Sequence, residues 1–473
     1  MKSWRQRLCS RSLACTLWIA LCFGITSAVY LSWLHRLVAV MGGAALDWIT
    51  MVLGYLLQAA GVGAACLLLR RNPAGNHPRW FTAILLLFAL VCLPTLLSDS
   101  PAGVVWFGLI ANLLCGVIAG FYLYGIVRNA RAGRRSHIFG GGYAVATIAV
   151  GLPALFGRSG LLNGRHALLL YVPLCAALAL ATARLHMLDA TENAPTMPHE
   201  PAASSETGLA LACVVVVLLS AVKNMGFSFP SVDIEAGLIP ALSRLPYAVG
   251  LAVAGIINDR SRRNGMICTV AALIIPFILL GLNSEPVPAA IFWGLEYLFF
   301  GFFSVFRVVL FLDLAGRARR WELAPLGLLM GRLGDVAGTA ASLLLAGSKI
   351  ALIAATAIAF FPTVFLFFRL YQKLYEPEAL QQRSEQEVFE AFCLHNDLSA
   401  REREVLRMVL DNHSNGEIAE TLFISGSTVK YHVRNVLQKA GCKNRSELQK
   451  KFKLALYPHL ESTARVFANG DAD

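Results

Sequence analysis

Six apolar runs, at residues 13–34, 48–69, 80–97, 102–127, 138–157 and 167–183, contain no Asp, Glu, Lys or Arg. A second set follows at about 208–232, 236–258, 264–284, 286–312, 323–348 and 350–368. Each has at least the roughly 17 residues that a helix needs to cross a bilayer core. Only 15% of the 473 residues are charged, against about 25% in soluble domains. Secreted, collagen-like, disordered and single soluble-domain classes are therefore excluded. The expectation is an all-α chain: twelve transmembrane helices in two groups of six, leaving roughly 100 residues for another purpose.

The basic start of the first run (Lys2, Arg5, Arg7, Arg11) suits a signal peptide. Its 22 residues exceed the usual apolar stretch of one, however, and eleven more runs follow. It reads as the first helix. Residues 188–207, rich in Pro, Ser, Thr and acids, read as a linker between membrane halves 13–187 and 208–370. With residues 1–12 inside, the inside segments hold 18 Lys/Arg and the outside loops 4. That bias places both termini in the cytoplasm. The net charge of +12 follows from the same loops, because residues 371–473 carry 14 basic and 15 acidic side chains.

Between spans eight and nine stands Gly255-Ile-Ile-Asn-Asp259-Arg260-Ser-Arg262-Arg263. It resembles the G-x-x-x-D-R-x-x-R signature of the major facilitator superfamily, which also has six plus six helices. The corresponding loop between spans two and three lacks the Asp. The resemblance covers about residues 13–370 and implies two six-helix bundles around a central cavity, built from repeats.

Charge returns in the second half. Lys223, Arg244, Glu296, Arg307, Arg332 and Asp335 fall within or near apolar runs. Ionisable groups at membrane depth are costly and mark candidate ligand sites. Arg332 and Asp335, three apart, share a helix face and can pair. Lys223 and Arg307 could instead snorkel to an interface, and Arg332–Asp335 could be purely structural. The asymmetry favours a polar pocket supplied mainly by the second half.

Eleven cysteines show no C-x-x-C or Cys/His spacing that suits a metal. His35, His137, His166 and His186 sit at predicted helix ends, where satisfied or solvated rings are expected. No Walker A loop, G-x-S-x-G elbow or kinase signature is present. Neither an enzyme, a metal nor a cofactor is expected.

After residue 370 the composition changes. Residues 371–393 form a polar, Gln/Glu-rich helical connector with Leu374, Leu380, Val388, Phe389 and Phe392 at loosely helical spacing. Beyond it, Ser399-x-x-Glu402, Ser414-x-x-Glu417 and Asn444-x-x-Glu447 have the spacing of capping boxes or an Asn variant. Ser425 can cap a further helix. Four short helices result, with Val405, Leu406, Val409, Ile418, Ala419, Leu422, Val429, Val433, Val436, Leu437, Ala440, Leu448 and Phe452 turned inward. Helices two and three, joined by Phe423-Ile-Ser425, form a helix-turn-helix over 415–434.

On the outer face of its second helix lie Lys430, Tyr431, Arg434 and Gln438, types that reach base edges. Ser427, Thr428, His432 and Asn435 flank them, suited to phosphates. Residues 430–453 hold eight basic side chains and one acid.

Through L-S-x-R-E-R-E-V-L, S-N-x-E-I-A-x-x-L-x-I-S, T-V-K-x-H and L-x-K…N-R-x-E-L, residues 394–459 closely resemble the LuxR-type DNA-binding domain. Residues 460–473 trail it. The resemblance implies a bacterial transcription regulator, with Lys430, Tyr431 and Arg434 in base-contacting positions and Thr428 and His432 in backbone-contacting ones. It also implies a homodimer through the fourth helix. Gly426-Ser427 replaces a usual Glu-containing pair, and Ala440 stands where Leu is common. The expected protein is a membrane-bound one-component regulator under a ligand sensed by the membrane domain. Its expected partners are a near-palindromic operator, the lipid bilayer, an unidentified small molecule, a second copy and RNA polymerase. The alternative is a transporter of the major facilitator type with a regulatory DNA-binding tail.

Overall fold

The computed structural model describes residues 4–41, 45–72, 77–155, 165–189, 205–225, 242, 244–282 and 289–456. The chain divides into two compact units, Met1–Tyr371 and Gln372–Asp473.

Each apolar run has its helix. In the first half these are α1 (Trp4–Met41), α2 (Gly54–Arg71), α3 (His77–Leu97), α4 (Pro101–Asn129), α5 (Arg135–Leu155) and α6 (Arg165–Arg184). The second half holds α7 (Ser205–Met225), α8 (Leu245–Arg260), α9 (Arg262–Leu282), α10 (Ala289–Ala318), α11 (Leu326–Leu344) and α12 (Lys349–Leu374). The end of the seventh predicted span and the start of the eighth, over 226–241, lie outside the described residues. Among the described residues, eight helices are long and apolar enough to cross a membrane by length and composition.

The halves repeat one packing scheme. In the first, α1 packs on α5 and α2 on α4; in the second, α7 packs on α11 and α8 on α10. The halves meet where α2 lies on α11 and α5 on α8. Between helices in lipid there is no hydrophobic gain, so close approach through small residues holds them. Gly334 and Gly338 do this on α11, where an added Cβ would strike the backbone of Val217 and Ala221 on α7. Indole hydrogen bonds add specificity: Trp18 Nε1 donates to Thr182 Oγ1 at 2.8 Å, and Trp33 Nε1 to the Val104 carbonyl at 2.9 Å. The outer surface is studded with apolar side chains, among them Trp106, Leu169, Ile350 and Phe361. Water would not tolerate such a surface, and lipid does. This unit is a multi-pass membrane protein.

The second unit packs five helices: α13 (Glu376–His395), α14 (Ala400–Leu410), α15 (Asn415–Leu422), α16 (Gly426–Lys439) and α17 (Arg445–Leu456). Its core joins Val405, Leu406, Ile418, Val429, Val436 and Leu448. The connector helix belongs to it, since Phe389 and Phe392 pack edge-on against Phe452 at 6.2 and 5.5 Å between ring centres. Both Ser capping boxes are formed, and Ser425 accepts from the Thr428 amide. Asn444 Oδ1 accepts from the Glu447 amide at 2.9 Å.

Glu402 has a second task. Its buried carboxylate accepts from the Ser399 amide and from Lys439 Nζ, each at 2.8 Å, which ties the start of α14 to the end of α16. Burial by itself would raise the Glu402 pKa, but the bonds from Lys439 and Ser399 outweigh it and hold the carboxyl below the ordinary glutamate range. A lowered folded-state pKa contributes stability above the unfolded value, and that stability disappears as pH falls through the folded one. Glu402→Gln should therefore cost about 1–2 kcal/mol near neutral pH. In thermal unfolding of residues 372–473, the gap from wild type should close on acidification below about pH 4.

Candidate nucleic-acid interface and buried charge cluster

The turn between α15 and α16 is made by Phe423, whose backbone is left-handed with φ of 54°, followed by Ile424 and the cap Ser425. This sharp reversal turns Ile424 onto the core and leaves the Phe423 ring in solvent. Helix α16 is then fixed by Val429, Val433 and Val436 beneath it. Lys430, Tyr431, Arg434 and Gln438 project together on its exposed side, with Tyr431 at 62% exposure. Ser427 is exposed, while Thr428, His432 and Asn435 are half-buried at the margins. The Ser425 hydroxyl lies 2.7 Å from that of Ser427 and 2.8 Å from that of Thr428. His432 packs edge-on against Tyr431 and keeps an unpartnered Nδ1. All eight predicted residues thus sit on or beside one helical surface of the size a major groove accepts.

The basic stretch is less free than its count implies. Lys439 binds Glu402; Arg445 donates to the His413 carbonyl and to Asn415; Lys451 donates to the Ala440 carbonyl. Lys430, Arg434, Lys443, Lys450 and Lys453 remain exposed. Helix α17 turns Leu448 and Phe452 inward and presents Glu447 and Lys450.

In the membrane unit, Asp335 gathers three cations from three helices. Arg307 Nη1 on α10 and Arg332 Nη1 on α11 donate to its Oδ2 at 3.0 and 3.2 Å, while Lys223 Nζ on α7 lies 3.6 Å from Oδ1. Lys223 and Arg307 do not snorkel; both are buried. Arg244 stands immediately before the first turn of α8 and lines the same cavity. Of the six predicted residues, Glu296 is buried on α10 outside the cavity wall.

The first half supplies more than composition suggested. Tyr30, Tyr55, Gln58, Tyr122 and Tyr143 line the cavity opposite the cations. The Arg332 guanidinium lies 4.1 Å from the centre of the Tyr55 ring, and that of Arg244 5.7 Å from Tyr30. The hydroxyls of Tyr122 and Tyr143 are hydrogen-bonded to each other. Tyrosines inside otherwise charge-free runs were the available signal.

A second network joins the halves where α8 passes to α9. Asp259 accepts from the backbone amides of Ser136 and His137 at 3.0 and 2.9 Å, and from His137 Nδ1 at 2.6 Å. The motif carboxylate therefore caps the start of α5, where the helix dipole favours negative charge. Gly255 permits this approach, since a Cβ there would meet the His137 and Ser136 backbone at 2.9 Å. Arg262 and Arg135 both reach Asp313, at 2.9 and 3.5 Å.

Together these features define a multi-pass membrane protein of transporter-like architecture that carries a helix-turn-helix DNA-binding domain. Residues 396–451 match the family described as bacterial regulatory proteins, luxR family. The spore germination protein GerE of Bacillus subtilis is 46% identical over 50 residues, which are 11% of this chain and 68% of GerE. The transcriptional regulatory protein DegU of Brevibacillus brevis is 48% identical over 50 residues, again 11% of this chain but 21% of DegU. The monoamine regulon transcriptional regulator of Klebsiella aerogenes is 51% identical over 51 residues, 11% of this chain and 22% of that one. Through its second unit, the chain belongs to the luxR family.

The membrane unit resembles solved transporters in fold. The human organic anion transporter MFSD10 (TETRAN) has a TM-score of 0.53 at 14% identity, covering 77% of this chain and all of that one. The Escherichia coli fucose:proton symporter FucP has a TM-score of 0.51 at 12% identity, covering 77% and 98%.

Proposed function

We propose that the protein is a one-component transcription regulator of the bacterial inner membrane, with both termini cytoplasmic. Its membrane unit senses a small molecule, and α16 reads the operator. The observation that carries this reading is the exposed row Lys430, Tyr431, Arg434 and Gln438, held by its own core in a chain whose other unit encloses a charged cavity. The ligand acts only as far as it binds two states of the bundle with different affinity. Two copies, paired through α17, set two recognition helices about one DNA turn apart and read a near-palindrome. The described outer face of α17 is polar, so pairing of free domains is weak and confinement to one membrane assists it. RNA polymerase is the partner through which binding reaches transcription.

Selection of genomic fragments by full-length protein in nanodiscs, at two salt concentrations, tests the reading. Enrichment of one near-palindromic site at both is expected. Recovery of fragments without shared sequence would overturn it. The transporter-like fold keeps a second reading in play, a transporter with a regulatory tail. Uptake by a chain ending at residue 371 would favour that one.

A further inference from the structure

We infer that the cavity of the membrane unit takes an organic anion: a small carboxylate on an aromatic or similarly flat apolar body. This rests on the sensor reading and gives it a ligand class. Lys223, Arg244, Arg307 and Arg332 line one cavity, and among the described residues Asp335 is the carboxylate that lines it with them. Among the described residues, even with Glu296 counted behind the wall, cations exceed acids by two. Unbalanced positive charge at membrane depth is costly, and an arriving anion relieves that cost.

The donors are built for such a guest. Arg307, buried, and Arg332, half-buried, each bond Asp335 through Nη1, and among the described residues no bond to Asp335 uses the Nη2 of either. Each fork therefore keeps donor capacity that a second carboxylate can use. No carboxylate lies within 4 Å of Arg244 among the described residues, where its neighbours are tyrosines.

The remaining wall sets the rest of the guest. Tyr55 and Phe300 already hold cations over their faces, Arg332 at 4.1 Å and Lys223 at 4.0 Å from the ring centres. Rings in this arrangement accept a flat apolar body beside the charge. A cation is repelled by four like charges, and a compact polyanion leaves the aromatic wall unused. Because Arg244 and Arg332 stand against Tyr30 and Tyr55 of the other half, the anion bridges the two halves. It thereby favours whichever arrangement keeps them together.

The test uses full-length protein in nanodiscs without DNA. Benzoate, phenylacetate and 2-naphthoate are compared with their amides, with benzylamine and with inorganic phosphate, by shifts in the thermal unfolding midpoint. At least one carboxylate should bind tenfold or more tightly than its amide, with benzylamine and phosphate inactive. Arg332→Gln and Arg244→Gln should each weaken it about tenfold or more, the worth of a charged hydrogen bond. Should Arg332→Gln fail to fold, Arg244→Gln, outside the Asp335 cluster, decides alone. No binding by any carboxylate, equal binding by the amides, or affinity that survives the substitutions overturns the inference. Since no DNA is present, failure here leaves the operator reading standing, and failure of the operator selection leaves this result intact.

Discussion

Alanine at both Lys430 and Arg434 is expected to reduce operator affinity about 100-fold or more while the protein still folds and inserts. Both side chains are exposed and one helical turn apart on α16, so truncating them removes nothing from the core beneath. A well-placed contact to a base is worth about 1–3 kcal/mol of discrimination, and two such losses compound when the contacts are independent. Binding to random DNA should fall far less, because Lys443, Lys450 and Lys453 keep their charge and exposure. Salt separates the roles. If Lys430 and Arg434 reach bases, the ratio of specific to random binding collapses, while the salt slope changes by about 2 at most. If they reach only phosphates, specific and random binding fall together. Operator affinity unchanged in the double variant, by fluorescence anisotropy at two salt concentrations, removes α16 from its role.

The parts of this protein legible in sequence are those where local rules act alone. Ser399, Ser414 and Ser425 announce helix starts because capping depends on residues three positions apart. The outward row on α16 follows from the inward spacing of Val429, Val433 and Val436. The apolar runs announce the membrane helices for a similar reason, since lipid imposes one length and one polarity on each. What stayed hidden depends on contacts between distant segments. Nothing near Glu402 in sequence announces Lys439 as its partner, and a run of basic residues cannot show that Arg445 and Lys451 are occupied. Asp335 could be paired with Arg332 by spacing, whereas Lys223 and Arg307 arrive from helices more than 25 residues away. Tyr30 and Tyr55 read as ordinary members of apolar runs until the fold sets them opposite the cations.

Asp335→Asn is expected to be the most damaging single change in the membrane unit. The carboxylate is 1% exposed, with three cations on its oxygens. Neutralising it leaves Lys223, Arg307 and Arg332 crowded around an amide whose NH2 group cannot accept from any of them. Removing one member of a buried charge cluster costs about 3–5 kcal/mol, chiefly because the remaining charges stay buried without compensation. In nanodiscs this should appear as a large fall in the unfolding midpoint or in folded yield. Lys223→Met in the Asp335→Asn background should recover part of the loss, because it removes one of the stranded charges. Lys223→Met alone should cost less than Asp335→Asn, since Asp335 keeps both arginines. A double-mutant cycle over these two sites therefore has a predicted sign, with the double variant more stable than the sum of the single effects. An aromatic carboxylate should stabilise Asp335→Asn more than wild type, since it supplies the missing negative charge and meets no competing carboxylate. A midpoint unmoved by Asp335→Asn would mean that water screens the cavity, and the electrostatic account of the cluster would fail.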